Sequence, residues 1–172
     1  MSIKLVVGLG NPGKSYAATR HNIGRRIVER LEKDKPEGVA LCMPDVFMNT
    51  SGGPVAQLAR KKGLSPEEVL VVSDDFELPL GRLRIRLRGS SGGHNGLKSV
   101  LECMGTQNVP RLRVGIGPVP PEEDPANFVL KPFAAREKKD VEQAVELAAE
   151  AVRAVVNEGI ETAMNRFNRR AE

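Results

Sequence analysis

The chain has 172 residues, 40% of them apolar and 28% charged, with a formal net charge of +4. That length suits one domain over residues 1–172 with a single core, and that balance excludes a disordered chain. The charge is compatible with a polyanionic partner, but no Trp and one Tyr leave few platforms for stacking bases.

Residues 3–8 form a short aliphatic run that reads as a buried strand, closed by a tight turn at Gly10-Asn11-Pro12-Gly13. Residues 22–33 keep helical spacing through Ile23, Ile27, Val28 and Leu31, and the stretch 33–38 breaks that helix. A second strand at 39–43 is stopped by Pro44. Residues 51–62 form a helix with Val55, Leu58 and Ala59 on one face and Gly63 as its stop. Ser65-Pro66-Glu67-Glu68 is a capped single turn, with Ser as N-cap and Pro in first position. Residues 69–72 are a continuous apolar run, hence a central strand. It ends at Ser73-Asp74-Asp75, a strand terminus of the kind where sites form.

Residues 82–88 alternate without a fault, which predicts a strand with Leu83, Ile85 and Leu87 inward and four arginines outward. A glycine-rich connector over 89–93 leads to a short helix at 97–104, then a strand at 112–117 and a loop at 117–127. A long amphipathic helix spans 134–157, burying Val141, Val145, Ala148, Val152 and Val155. A short basic helix follows Gly159 to about residue 168, and Arg169-Arg170 frays. The alternation predicts an α/β class: a single-domain mixed β-sheet flanked by helices, with a hairpin-like insertion at 75–88.

Cys42 and Cys103 form no Cys-x-x-Cys pair, so neither a metal site nor a disulfide framework is expected. They read as two buried thiols in a reducing cytosol. The N-terminal apolar run is too short for a signal peptide, and no segment approaches the roughly 20 apolar residues that span a bilayer. The expected location is the cytoplasm, with no membrane association.

One motif invites a nucleotide reading. Gly8-Leu9-Gly10-Asn11-Pro12-Gly13-Lys14-Ser15 fits G-x-x-x-x-G-K-[ST] after a strand, and its first six residues fit G-x-G-x-x-G. Pro12 has no N–H to offer a phosphate, and residues 16–21 show no apolar period for the helix that should follow. The dinucleotide reading also lacks a strand ending in an acid about 20 residues on. A phosphate cradle is disfavoured.

Three polar clusters carry more information: Asn11 with Thr19-Arg20-His21-Asn22, then Phe47-Met48-Asn49-Thr50-Ser51-Gly52, then Gly92-Gly93-His94-Asn95-Gly96-Leu97. Both histidines of the chain lie here, each followed by Asn. Imidazole titrates near neutrality, and a carboxamide both donates and accepts, which suits proton transfer beside a polar carbonyl compound. His21 reads as a general base, with Asp74 as the carboxylate that orients it. Asn11, Asn49 and Asn95 would grip a carbonyl or stabilise an oxyanion, or serve turn chemistry beside Gly and Pro. No serine or cysteine sits in a nucleophile elbow, so water attacks directly. Arg84 and Arg86 share a strand face, either to meet phosphates or to keep a strand edge soluble.

These clusters, with Asp74, Leu78-Pro79, Arg111-Leu112-Arg113-Val114-Gly115-Ile116-Gly117 and Phe128-Val129-Leu130, occur in an order that closely resembles bacterial peptidyl-tRNA hydrolases. The resemblance covers nearly the whole chain. It implies hydrolysis of the ester between a peptide's C-terminus and the tRNA 3′ ribose, by a monomer with no metal, cofactor or obligate protein partner. It implies His21, Asp74 and Asn11 as catalytic residues. Asn49, His94 and Asn95 would line the substrate site, with Met48 shaping the pocket and Tyr16 near the leaving end or on the surface. It implies Arg84, Arg86, Lys98 and Arg113 as contacts to tRNA phosphates. Members usually carry about two more strands after the first helix, where this chain has only residues 33–38, so its sheet is expected to be shortened by a hairpin. Asp45-Val46 and Ser73-Asp74-Asp75 also depart from the family pattern.

Overall fold

A computed structural model describes residues 2–168; Arg169 and Arg170, read above as a frayed end, lie outside the described residues. Among the described residues, five strands form one sheet: β1 (Leu5–Gly8), β2 (Ala40–Cys42), β3 (Val69–Pro79), β4 (Leu83–Arg86) and β5 (Arg111–Gly117). Their order is β2-β1-β3-β5-β4, parallel throughout except β4, which runs antiparallel to β5. The helices are α1 (Ile23–Leu31), α2 (Gly52–Lys61), α3 (Asn95–Met104), α4 (Pro125–Phe128), α5 (Lys138–Glu158) and α6 (Ile160–Phe167). The chain passes from α1 to β2 through turns alone, so the sheet lacks a hairpin there, as expected.

Both faces of the sheet are covered, which is why its central strands read as unbroken apolar runs. Val6, Leu70, Val72, Leu112 and Val114 meet α1, α5 and α6; Leu5, Val7, Val69 and Val71 meet α2 and α3. The stripe expected on α5 is buried as read, from Val141 to Val155. Ser65 and Glu68 make the expected cap, the Ser65 N–H donating to Glu68 Oε1 at 3.0 Å.

Several expectations need correction. The segment 75–88 is not a hairpin: β3 continues to Pro79, and β4 crosses to the far side of β5 instead of pairing with β3. Period-two alternation reports faces, not partners, so it could not reveal the crossing. Leu87 is exposed, because β4 ends at Arg86 opposite Arg111, where Pro110 offers no N–H to extend the ladder. The loop expected at 117–127 runs into α4, whose Asp124 cap accepts from the Ala126 N–H. Helix α5 starts at Lys138, after a 3-10 turn at Ala135–Glu137. The thiols are not buried: Cys103 is exposed off the apolar stripe of α3, and Cys42 is half-buried on the edge strand β2.

Two features bring functional residues together. Gly24 lets the first turn of α1 rest on the backbone of β3, where a Cβ would come within 2.3 Å of the Val72 carbonyl. And β3 breaks register with β5 between Asp75 and Pro79, directly after the Asp74–Val114 and Asp75–Gly115 pairs. Asp74 therefore lies within a strand, not at its terminus, but at the point where regular pairing fails. Irregular pairing of this kind re-aims side chains.

Candidate active site

The loop after β1 and the turn before α1 are tied by two bonds: Asn22 Oδ1 accepts the Asn11 N–H and Asn22 Nδ2 donates to the Asn11 carbonyl, both at 2.9 Å. On the other side, the Arg20 and His21 N–H groups donate to the carbonyls of Lys131 and Val129, at 3.0 and 2.8 Å. The buried Arg20 guanidinium reinforces this seam, donating to Pro132 O and Glu137 Oε1 and lying 4.3 Å from the Phe128 ring centroid. His21 is thus gripped from both flanks before its ring is considered.

That ring meets a buried carboxylate. His21 Nδ1–H donates to Asp74 Oδ2 at 2.8 Å, and His94 Nε2–H donates to Asp74 Oδ1 at 2.7 Å. The tautomers follow from the partners. His94 Nδ1 accepts the Leu97 N–H as the cap of α3, so the proton of that neutral ring is on Nε2. His21 gives Nδ1–H to Asp74, which leaves its Nε2 lone pair free. Burial by itself would push the His21 imidazole down, but the Asp74 charge and hydrogen bond outweigh it and the pKa is raised. Burial likewise opposes the Asp74 carboxylate, yet the two imidazoles hold it well below the usual carboxylate range.

His21, Asp74 and His94 place three ligand atoms within 4.8 Å of one another, a spacing a metal could use. Here both Asp74 oxygens already accept from the imidazoles, and a cation on that carboxylate would compete with those bonds.

The arrangement opens into a cleft of about 180 Å³ whose lining includes His21, Asp74, His94, Asn95 and Arg113, with Pro125, Ala126 and Val129 as a further wall. Of the predicted site residues, these five share the cleft. Asn11, Tyr16, Met48 and Asn49 do not line it; they belong to an adjoining shelf. Asn11 Oδ1 accepts the Met48 N–H at 2.7 Å, while Tyr16 packs edge-on against the exposed Phe47. Asn49 is exposed beside them. Met48 joins shelf to cleft: a Cβ on Gly96 would meet Met48 Sδ at 2.4 Å and His94 Cε1 at 3.1 Å.

The predicted phosphate contacts divide. Arg84 and Arg113 are cross-strand partners, as are Arg86 and Arg111, which puts four guanidinium groups on one face at the sheet edge. Burial and the charges of Arg84 and Arg113 push the Arg86 pKa down, the sign of crowded like charge. Arg113 is held by Asp75 at 2.8 Å, and Arg84 Nε is buried with no partner among the described residues. Lys98 stands exposed on the first turn of α3, apart from this strand pair.

The nucleotide-like loop makes no cradle. Its Leu9 N–H donates to Val72 O and its Asn11 N–H to Asn22, and residues 14–18 form turns where a helix would be required. The sequence reading assigned no role to Asn22, Arg20, Asp75 or Arg111. Only Asn22 carried a usable signal, as one of the two asparagines that follow a histidine.

A model of the peptidyl-tRNA hydrolase family matches residues 5–172. The chain belongs to the peptidyl-tRNA hydrolase family. It is 44% identical to the peptidyl-tRNA hydrolase of Methylacidiphilum infernorum, over 95% of this chain and 97% of that one. It is 43% identical to that of Aquifex aeolicus, over 98% of each chain. The latter alignment runs to 188 positions, so that family member carries residues this chain lacks. The crystal structure of peptidyl-tRNA hydrolase from Acinetobacter baumannii superposes with a TM-score of 0.88 at 33% identity, covering 96% of this chain and 94% of that one.

Proposed function

We propose that His21 activates the attacking water in the reaction that family membership assigns to this chain, hydrolysis of peptidyl-tRNA. The observation that carries the reading is the Asp74 carboxylate, buried and shared by both histidines at the mouth of one cleft. The free Nε2 of His21 takes a proton from water as the water oxygen bonds to the ester carbonyl carbon. The tetrahedral intermediate then expels the 3′ ribose oxygen, which takes that proton back from the imidazolium. Asp74 steadies the imidazolium through Nδ1. Asn95 in the cleft and the unbonded Nδ2 of Asn11 offer donors to the developing oxyanion. Met48 shapes the peptide side, with Asn49 and Tyr16 on the shelf beyond it. The chain works as a monomer in the cytoplasm without cofactor; no helix among the described residues is long and apolar enough to cross a membrane.

Release of labelled peptide from peptidyl-tRNA in EDTA tests this reading. Turnover is expected to persist in chelator with no acyl-enzyme on denaturing electrophoresis. Tight RNA binding without turnover would make the chain a binding relative, and loss in chelator would put a metal at the histidine pair.

Arg84, Arg86 and Arg113, with Lys98 as an outlying contact, meet tRNA phosphates. The placement of Arg84, Arg86 and Arg113 on one sheet face, and the like charge Arg84 and Arg113 press on Arg86, support an anionic partner. Replacing Arg84 and Arg86 together by Ala is expected to raise KM at nearly constant kcat. The slope of log KM against log salt should fall by about 2, one for each lost phosphate contact. An unchanged salt slope would take tRNA off this face.

A further inference from the structure

Arg111 opens β5 and is 2% exposed. Its Nε donates to Val109 O at 2.9 Å, its Nη1 to Ser90 O at 2.9 Å, and its Nη2 to Gly89 O at 3.0 Å and Gln107 O at 3.3 Å. All four acceptors are backbone carbonyls, and no carboxylate among the described residues pairs with it. Burial and the neighbouring Arg113 push its pKa down to about 10. A buried cation of this kind is costly unless its hydrogen bonds do something an apolar side chain could not. Here they join two separate stretches of chain, 107–109 and 89–90.

The second stretch is the start of the connector from β4 to His94. Gly89, Gly92 and Gly93 have φ of +141°, +60° and +86°, so the connector has little intrinsic preference for one path. Directly after the pinned carbonyls, a turn forms: the His94 N–H donates to Ser91 O at 3.1 Å and the Gly93 N–H to Ser91 Oγ at 3.3 Å. The turn delivers His94 to Asp74 and, as cap, to α3.

We propose that Arg111 is a positioning residue of the hydrolytic centre: its guanidinium pins the β4–α3 connector so that His94 meets Asp74, which in turn faces His21. This rests on the hydrolase reading above. A tRNA phosphate is not its ligand, because the group is buried and its donors are already committed.

The test compares wild type with Arg111→Lys, which keeps the charge but cannot span four carbonyls. Two substrates are used: peptidyl-tRNA, and an N-acetyl-aminoacyl ester of adenosine that has no phosphate. Displacement of the centre is expected to lower kcat about 10- to 100-fold on both, with KM for peptidyl-tRNA nearly unchanged. Nitrogen-15 spectra should show the Nε2–H tautomer of His94 in wild type and its loss in the variant. A second variant, one glycine inserted between Ser90 and Ser91, leaves Arg111 and the core intact. It should reproduce both effects even where Arg111→Lys fails to fold. Wild-type kcat and tautomer in the insertion, or a loss confined to KM for peptidyl-tRNA, would overturn the proposal. An inactive wild type would fail the hydrolase reading alone, since the tautomer spectra still decide whether the pin exists.

Discussion

Asp74→Asn is expected to lower kcat about 10³–10⁴-fold while the chain remains folded, the scale of losing a base's orientation and its charge partner together. The carboxylate accepts from both rings, His21 Nδ1–H and His94 Nε2–H. A carboxamide presents one oxygen and one NH₂, so it can satisfy only one of these donors. The other ring must turn or change tautomer. The pH profile separates this from a general loss of structure. A base works deprotonated, so wild-type kcat/KM should rise with pH through a point above the ordinary histidine value of about 6.5, because Asp74 raises the His21 pKa. In the variant the raising charge is gone and burial remains, so the acid limb should move to lower pH while the plateau falls. A limb that moves upward, or a plateau that holds, would remove Asp74 from the mechanism.

Gly24→Ala is expected to cost about 1–3 kcal/mol by overpacking. At about 2–4 °C per kcal/mol for a chain of this size, Tm drops by several degrees. The new methyl would sit 2.3 Å from the Val72 carbonyl oxygen and 2.9 Å from its carbon, and both are backbone of the central strand β3. Nothing there can swing aside, so α1 must lift. Because His21 and Asn22 form the turn that enters α1, lifting it also draws the base away from Asp74, and kcat should fall with Tm. Gly53→Ala is the control: it lies in α2 with nothing within 4 Å of the added carbon, and helix propensity alone predicts a gain of up to about 1 kcal/mol. Equal Tm values for the two variants would refute the close seating of α1.

The sequence by itself determined the layered α/β class, most elements and the chemistry-bearing clusters. These rest on signals local in the chain: the apolar run at Val69–Val72, the helical period of Ile23, Ile27, Val28 and Leu31, and a histidine followed by an amide, twice. Local signals cannot say which strand crosses to which neighbour, and β4 proved to pair with β5. They cannot say where a side chain stops after folding, so nothing in the sequence showed that Asn11 Oδ1 accepts the Met48 N–H. Nor can they tell that one carboxylate serves two rings 73 positions apart along the chain, counted from His21 to His94. Only the tertiary structure decided those points, because each depends on non-local packing: a glycine that lets a helix approach a strand, a break in sheet register, and a buried guanidinium that reaches two carbonyls 21 and 22 residues away.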